Sequence, residues 1–131
     1  MYYRIIIAGS RDFNDYAIAK RELDSFFNTL LIDATEKIDI EIISGTARGA
    51  DTLGEKYAKE NNIKLTRMPA DWNMYGKAAG MIRNNQMASY ASENGYVGYL
   101  VVFWDGISRG TKGMIDIAKR KELNIKTVMI K

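Results

Sequence analysis

The chain has no cysteine and no histidine among its 131 residues. The first absence excludes disulfides and thiolate metal sites. The second removes the commonest general base and the commonest transition-metal ligand. No resident cofactor is implied by what remains; a metal here would be a hard cation on carboxylate oxygens, such as Mg²⁺ bridging a bound phosphate. Long apolar runs are missing too. The longest, residues 99–104, is far short of the roughly 20 residues a membrane-spanning helix needs. The opening residues read as a strand and lack the apolar core and small-residue cleavage site of a signal peptide, so a cytoplasmic location with no membrane partner is the expectation. Charge of one sign is scarce as well: 19 Lys and Arg face 16 Asp and Glu, a net +3. With the lysines scattered, that balance reads as a solvated surface rather than a nucleic-acid groove.

What is present is a globular composition, 47% hydrophobic and 27% charged, in a chain of the length of one domain spanning residues 1–131. Five β-prone segments, 3–8, 39–43, 63–68, 98–104 and 126–130, are each rich in Ile, Val, Leu or aromatics. Between them lie four stretches with helical spacing. The first carries Leu23, Phe26, Phe27, Leu30, Leu31 and Ala34, and the second Ala50, Leu53, Tyr57, Ala58 and Asn61. The third covers about residues 78–94 and the fourth about 111–123, with Met114, Ile115 and Ala118 inward. Strict alternation of strand and helix predicts a three-layer Rossmann-like α/β fold, a parallel sheet with helices on both faces. The first and fourth strands are the most uniformly apolar, as strands buried on both sides should be. If they are neighbours, the order is 3-2-1-4-5.

Each of the first four strands runs into a polar loop that leads to a helix. The loops are Gly9-Ser10-Arg11-Asp12, then Ser44-Gly45-Thr46-Ala47-Arg48-Gly49-Ala50-Asp51, then Pro69-Ala70-Asp71-Trp72, and finally Asp105-Gly106-Ile107-Ser108-Arg109-Gly110-Thr111. In a parallel sheet all four lie on the carboxyl edge, where ligands bind at the reversal of strand order. Their residues suit phosphate. Glycines admit an anion close to backbone N–H groups, and helix N-termini add free donors and partial positive charge. The hydroxyls of Ser10, Thr46, Ser108 and Thr111 are further donors. Of eight arginines, Arg11, Arg48, Arg83 and Arg109 stand in these loops or at the start of the third helix, whereas most lysines lie on helix exteriors. Arginine meets phosphate with a planar fork.

Each feature has a plainer reading. Gly9-Ser10-Arg11-Asp12 alone is the pattern of an ordinary turn and N-cap. Asp71 and Trp72 fit a loop anchor under the third helix as well as a ligand contact, and Trp72 or Tyr75 fits packing as well as base stacking. Arg83 precedes Met87 by one turn on a face that reads as buried. A buried arginine needs an anionic partner, Asp105 or a ligand phosphate, unless it snorkels to solvent.

These segments resemble the SLOG superfamily, named for the Smf/DprA and LOG proteins, and within it the YspA-like branch of bacterial and phage proteins. The resemblance rests on the four loops above with Phe13 and Lys112, together with Ala79-Gly80-Met81-Ile82-Arg83-Asn84-Asn85-Gln86-Met87. It implies a Rossmann-like fold and nucleotide binding, with Asn84 and Gly106 joining the residues already named. LOG enzymes cleave the base from a nucleoside 5′-monophosphate with a helical arginine, matched here by Arg83, and a glutamate just after a Gly-Thr pair, matched by Gly110-Thr111. The glutamate has no counterpart: Lys112, Gly113 and Met114 stand there, and Asp116 lies about one turn too late.

The leading expectation is therefore a module that binds a nucleotide or a nucleotide-derived compound such as an ADP-ribose derivative, as a sensor or sink for a signalling nucleotide. The alternative is an N-glycosidase or phosphoribohydrolase acting on nucleoside monophosphates through Arg83 with Asp71 or Asp105. A single-stranded DNA-binding module, by analogy with DprA relatives, is the weakest, for want of a basic stripe or interleaved aromatics. Homo-oligomerisation is expected on the same analogy. Tyr90, Tyr96, Tyr99 and Trp104 either form an apolar patch for it or complete the core.

Overall fold

Side chains alternate across a strand, and in the central strands both sets are apolar. In the computed structural model, which describes residues 1–32 and 34–130, β1 spans Tyr2–Gly9, β2 Asp39–Ser44, β3 Lys64–Arg67, β4 Tyr96–Trp104 and β5 Asn124–Met129. All five pair in parallel, in the order β3-β2-β1-β4-β5. This is the doubly wound Rossmann-like arrangement expected from the apolarity of the first and fourth strands, which are adjacent at its centre. Ile5, Ile7, Ile42, Val101 and Phe103 face one side, Ile6, Ile43, Leu100 and Val102 the other. Each fully buried side chain of this size contributes roughly 1.5–3 kcal/mol relative to exposure.

Helices α1 (Tyr16–Ile32) and α2 (Ala50–Glu60) cover the first face through Leu23, Phe26, Phe27, Tyr57 and Ala58. The second face is covered by α4 (Ala79–Ala91) and α5 (Arg109–Arg120) through Met87, Ala88, Met114, Ile117 and Ala118. Two departures from the sequence pattern matter. Helix α1 ends before Ala34, and Leu31 and Ala34 are exposed rather than part of the apolar face. The third helical stretch, expected over about residues 78–94, is the single helix α4, but a one-turn helix, α3 (Trp72–Tyr75), and a 3-10 turn over Gly76–Ala78, neither of them expected, precede it. Asp71 caps α3 by accepting the Met74 N–H at 3.0 Å, and Gly76, with φ 54°, breaks the helical path.

Arg4 is the one charge in the otherwise apolar β1, and it lies at the amino edge of the sheet. Its guanidinium sits 3.5 Å from the ring centre of Tyr90 and 3.4 Å from that of Tyr96. It pairs with buried Glu41 at 3.4 Å and also bonds Glu93. Tyr99 packs edge-on against Phe26, with centroids 5.3 Å apart, and the Trp104 indole donates to the Ser108 carbonyl at 3.1 Å. The four aromatics of the second half are thus engaged within the chain.

Candidate functional site

At the carboxyl edge the loops after β1, β2 and β4 are bonded into one unit through Ser10. Its N–H donates to the Phe103 carbonyl at 2.9 Å, and its own carbonyl accepts from Phe13 and Ala50, both at 3.2 Å. Its hydroxyl lies 3.3 Å from that of Ser108 and accepts from the Asp105 N–H at 3.3 Å. Gly49, with φ 81°, lies so close to the first loop that a Cβ there would overlap the carbonyls of Ser10 and Arg11. Only glycine fits that position.

Beside this unit opens a cavity of about 770 Å³, a size typical of small-molecule sites. A second lobe of about 480 Å³ shares Arg11, Ala47, Arg48, Trp72 and Arg83 with it and adds Gly45 and Thr46. The walls come from every loop named above: Gly9 and Arg11 after β1, Ala47, Arg48 and Asp51 after β2, Trp72 after β3, and Ser108, Arg109, Gly110 and Thr111 after β4, with Arg83 and Asn84 from α4. Six cations, Arg11, Arg48, Lys77, Arg83, Arg109 and Arg120, face three carboxylates, Asp12, Asp51 and Asp116. The surplus of three equals the net +3 of the whole chain, so the rest of the molecule is charge-balanced and the excess is gathered here. Such focusing attracts anions.

Neither α2 nor α5 has a side-chain cap at its N-terminus, and the first turn of each lines the cavity. Apart from the Ala50 N–H, which the Ser10 carbonyl accepts, the free first-turn N–H groups and the dipoles of both helices are therefore turned to the same space. Thr46 stands at φ 64°, a left-handed conformation that is strained for a β-branched residue. It is held there by its N–H bond to the Ser44 hydroxyl at 3.0 Å.

Arg83 and Asp51 form the floor. Arg83 is buried, and it donates to the Gly45 carbonyl at 2.5 Å and to Asn84 Oδ1 at 2.9 Å. Asp51, only 5% exposed, accepts the Ala47 N–H at 3.1 Å. Both close over Gly45: a Cβ at that position would lie 2.9 Å from Arg83 Nη1 and 3.0 Å from Asp51 Oδ2. Burial pushes the Asp51 carboxyl up from its ordinary 3.8 to about 6, against the opposing pull of the Ala47 N–H and the Arg83 charge. Burial also lowers the Arg83 guanidinium, and Asp51 partly offsets this. The carboxylate beside Arg83 is thus Asp51 and not Asp105.

Five residues expected at the ligand are used differently. Asp105 accepts from the N–H groups of Ile107 at 2.8 Å and Ser108 at 2.7 Å. Those bonds, that of Ser108 foremost, hold its carboxyl below the usual range. Asp71 is spent on the cap of α3. Ser10 and Gly49 join the loops, and Gly106 supplies the positive φ of 83° that turns the chain after Asp105. None of the five is among the cavity walls. Conversely Lys77, Met81, Asp116 and Arg120 line the cavity, although in sequence Met81 stood out only within the resemblance segment, Asp116 only as lying too late for the glutamate, and Lys77 and Arg120 not at all. Asp116 and Arg120 lie three and seven residues beyond Gly113, which also lines it, so a helical stripe continuing from Gly110 was the available signal. Among the described residues no three acidic side chains come together as a metal site, and no helix is long and apolar enough to cross a membrane.

No curated protein and no solved structure matches the chain. A family model described as YAcAr, the YspA, cpYpsA-related SLOG family, matches residues 3–75, from β1 through α3. That segment contains three of the four loops that build the cavity and more than half of the chain, and the chain belongs to the YspA, cpYpsA-related SLOG family.

Proposed function

We propose that this protein binds a nucleotide, or a nucleotide-derived anion of the ADP-ribose kind, in the cleft at the carboxyl edge of its sheet, as a sensor or sink for that compound. The observation that carries the proposal is the convergence of two uncapped helix N-termini with Arg11, Arg48, Arg83 and Arg109 on one cavity. Backbone donors and arginine forks are the groups that bind phosphate oxygens most strongly, and the surplus charge favours a ligand with more than one negative charge.

Thermal denaturation against mono-, di-, tri- and cyclic nucleotides and ADP-ribose tests this. A ligand at 100 times its Kd stabilises the folded state by about 2.7 kcal/mol. Arg48 and Arg109 lie on the exposed part of the cavity wall, so an Arg48→Ala, Arg109→Ala variant should fold normally and lose the shift. Absence of a shift with every compound would overturn the proposal.

One observation favours a second reading, hydrolysis of the glycosidic bond in a nucleoside monophosphate. Asp51, buried beside Arg83 with its carboxyl raised to about 6, is suited to give a proton near neutral pH. Asp105, whose carboxyl is held below the usual range by backbone N–H groups, is not, and Asp71 caps α3 outside the cavity walls. In that reaction water adds to the sugar carbon and the base departs with the proton. Release of free base by the wild type, lost in Asp51→Asn and Arg83→Ala, supports this reading; equal, near-zero release in all three removes it.

A further inference from the structure

The cavity is not uniformly polar. Trp72 and Met81, on α3 and α4, both line it and are 51% and 67% exposed. The indole lies over the start of α4, where a Cβ on Gly80 would be 3.6 Å from Trp72 Cη2. That contact supports one ring face or edge and leaves the rest of the ring open. A bare phosphate or sugar phosphate engages the arginines and helix ends and leaves this apolar rim in water.

We infer that Trp72 and Met81 form a subsite for the planar base of the ligand, so that the site selects nucleotides over phosphates and sugar phosphates without a base. The inference rests on the nucleotide reading above and adds the ligand's second half to it. Base-on-indole stacking tolerates any base, because every base has a π-face, and a methionine thioether adapts to the edge of the ring. Asn84, also on the wall, adds a direction. Its Oδ1 is taken by the Arg83 Nε–H at 2.9 Å, which fixes the amide and leaves its NH₂ to donate. A base that turns an acceptor edge toward α4 is therefore preferred over one that turns a donor. The apolar rim continues the cationic wall of a single cavity, so one ligand with an anionic end and a flat end covers both.

The test is calorimetric titration of the full chain with ribose 5-phosphate and with the four ribonucleoside 5′-monophosphates, for the wild type, Trp72→Ala and Trp72→Phe. At least one nucleotide should bind about tenfold to a hundredfold more tightly than ribose 5-phosphate. Trp72→Ala should bring that ratio close to one while leaving the sugar phosphate within about twofold of its wild-type Kd, and Trp72→Phe should keep most of it. Equal binding of sugar phosphate and nucleotides by the wild type overturns the base subsite and leaves the anion site standing. So does a Trp72→Ala variant that keeps the ratio, or one that changes the sedimenting mass instead, which marks the rim as a contact between copies of the chain. No binding by any of these five probes overturns the base subsite, whereas the nucleotide reading falls only if the wider thermal panel above also shows no shift.

Discussion

Replacing Asp51 with asparagine should make this protein more stable at neutral pH. The carboxyl is 5% exposed, and burial raises it from 3.8 to about 6 even though the Ala47 N–H and Arg83 favour its charged form. Each unit of displacement is worth about 1.4 kcal/mol, so a carboxylate forced to ionise in this place costs on the order of 3 kcal/mol. The sign follows from the proton count. Below about pH 4 the group is protonated in both the folded and the unfolded chain, and there is no penalty. Between about 4 and 6 the folded chain keeps a proton that the unfolded chain releases, so stability falls as pH rises; above about 6 the whole cost is present. Asparagine keeps the shape and an acceptor for the Ala47 N–H without the charge. Urea denaturation at pH 7.5 should show Asp51→Asn more stable by about 1–3 kcal/mol, and near pH 4 the two proteins should converge. An Asp51→Asn protein less stable than the wild type at pH 7.5 would refute the reasoning, because it would mean that attraction to Arg83 outweighs the loss of water.

The same group ties ligand affinity to pH. An anion bound near Asp51 raises its carboxyl further, so affinity for a ligand without a titrating phosphate, such as a cyclic nucleotide, should fall as pH rises through about 6, and titrations of Asp51→Asn should show no such fall. Thr46→Gly relieves a β-branched residue at φ 64°; thermal unfolding should show a gain of about 1 kcal/mol, with weaker ligand binding if the strained loop is preformed for the ligand. Gly49→Ala puts a methyl against the Ser10 and Arg11 carbonyls, and denaturation should show a loss of more than about 2 kcal/mol, since neither carbonyl can retreat without breaking the junction at Ser10.

Strand order was legible because β1 and β4 must be apolar on both faces, and nothing but a central position accounts for Ile5-Ile6-Ile7 and Leu100-Val101-Val102. The cavity's loops were legible for a related reason: glycine, hydroxyl and arginine recur after successive parallel strands, and parallel topology sends those loops to one edge. What local pattern could not decide was the use of a given carboxylate. Asp71 and Asp105 satisfy nearby backbone N–H groups, whereas Asp51, one position into α2, has its side chain enclosed by Arg83, Gly45 and Glu55 from distant or helical neighbours. Cap and ligand group look alike in sequence, and burial separates them. Lys77 and Met81 were hidden for a different reason, since the turn before α4 and the first turn of that helix reach the cavity only by the way α4 packs on the sheet. Arg4 in β1 likewise gave no sign of the Tyr90–Tyr96 pair that encloses it.

The most direct test of a nucleotide cleft at the carboxyl edge is amide chemical-shift mapping during titration with the nucleotide that gives the largest thermal stabilisation. The largest changes should fall on Gly9, Arg11, Ala47, Arg48, Gly110 and Thr111, the backbone that faces the cavity, with residues around Arg4 and Glu41 at the opposite edge unmoved. Changes centred on that opposite edge, or scattered over the surface without saturation, would contradict the account.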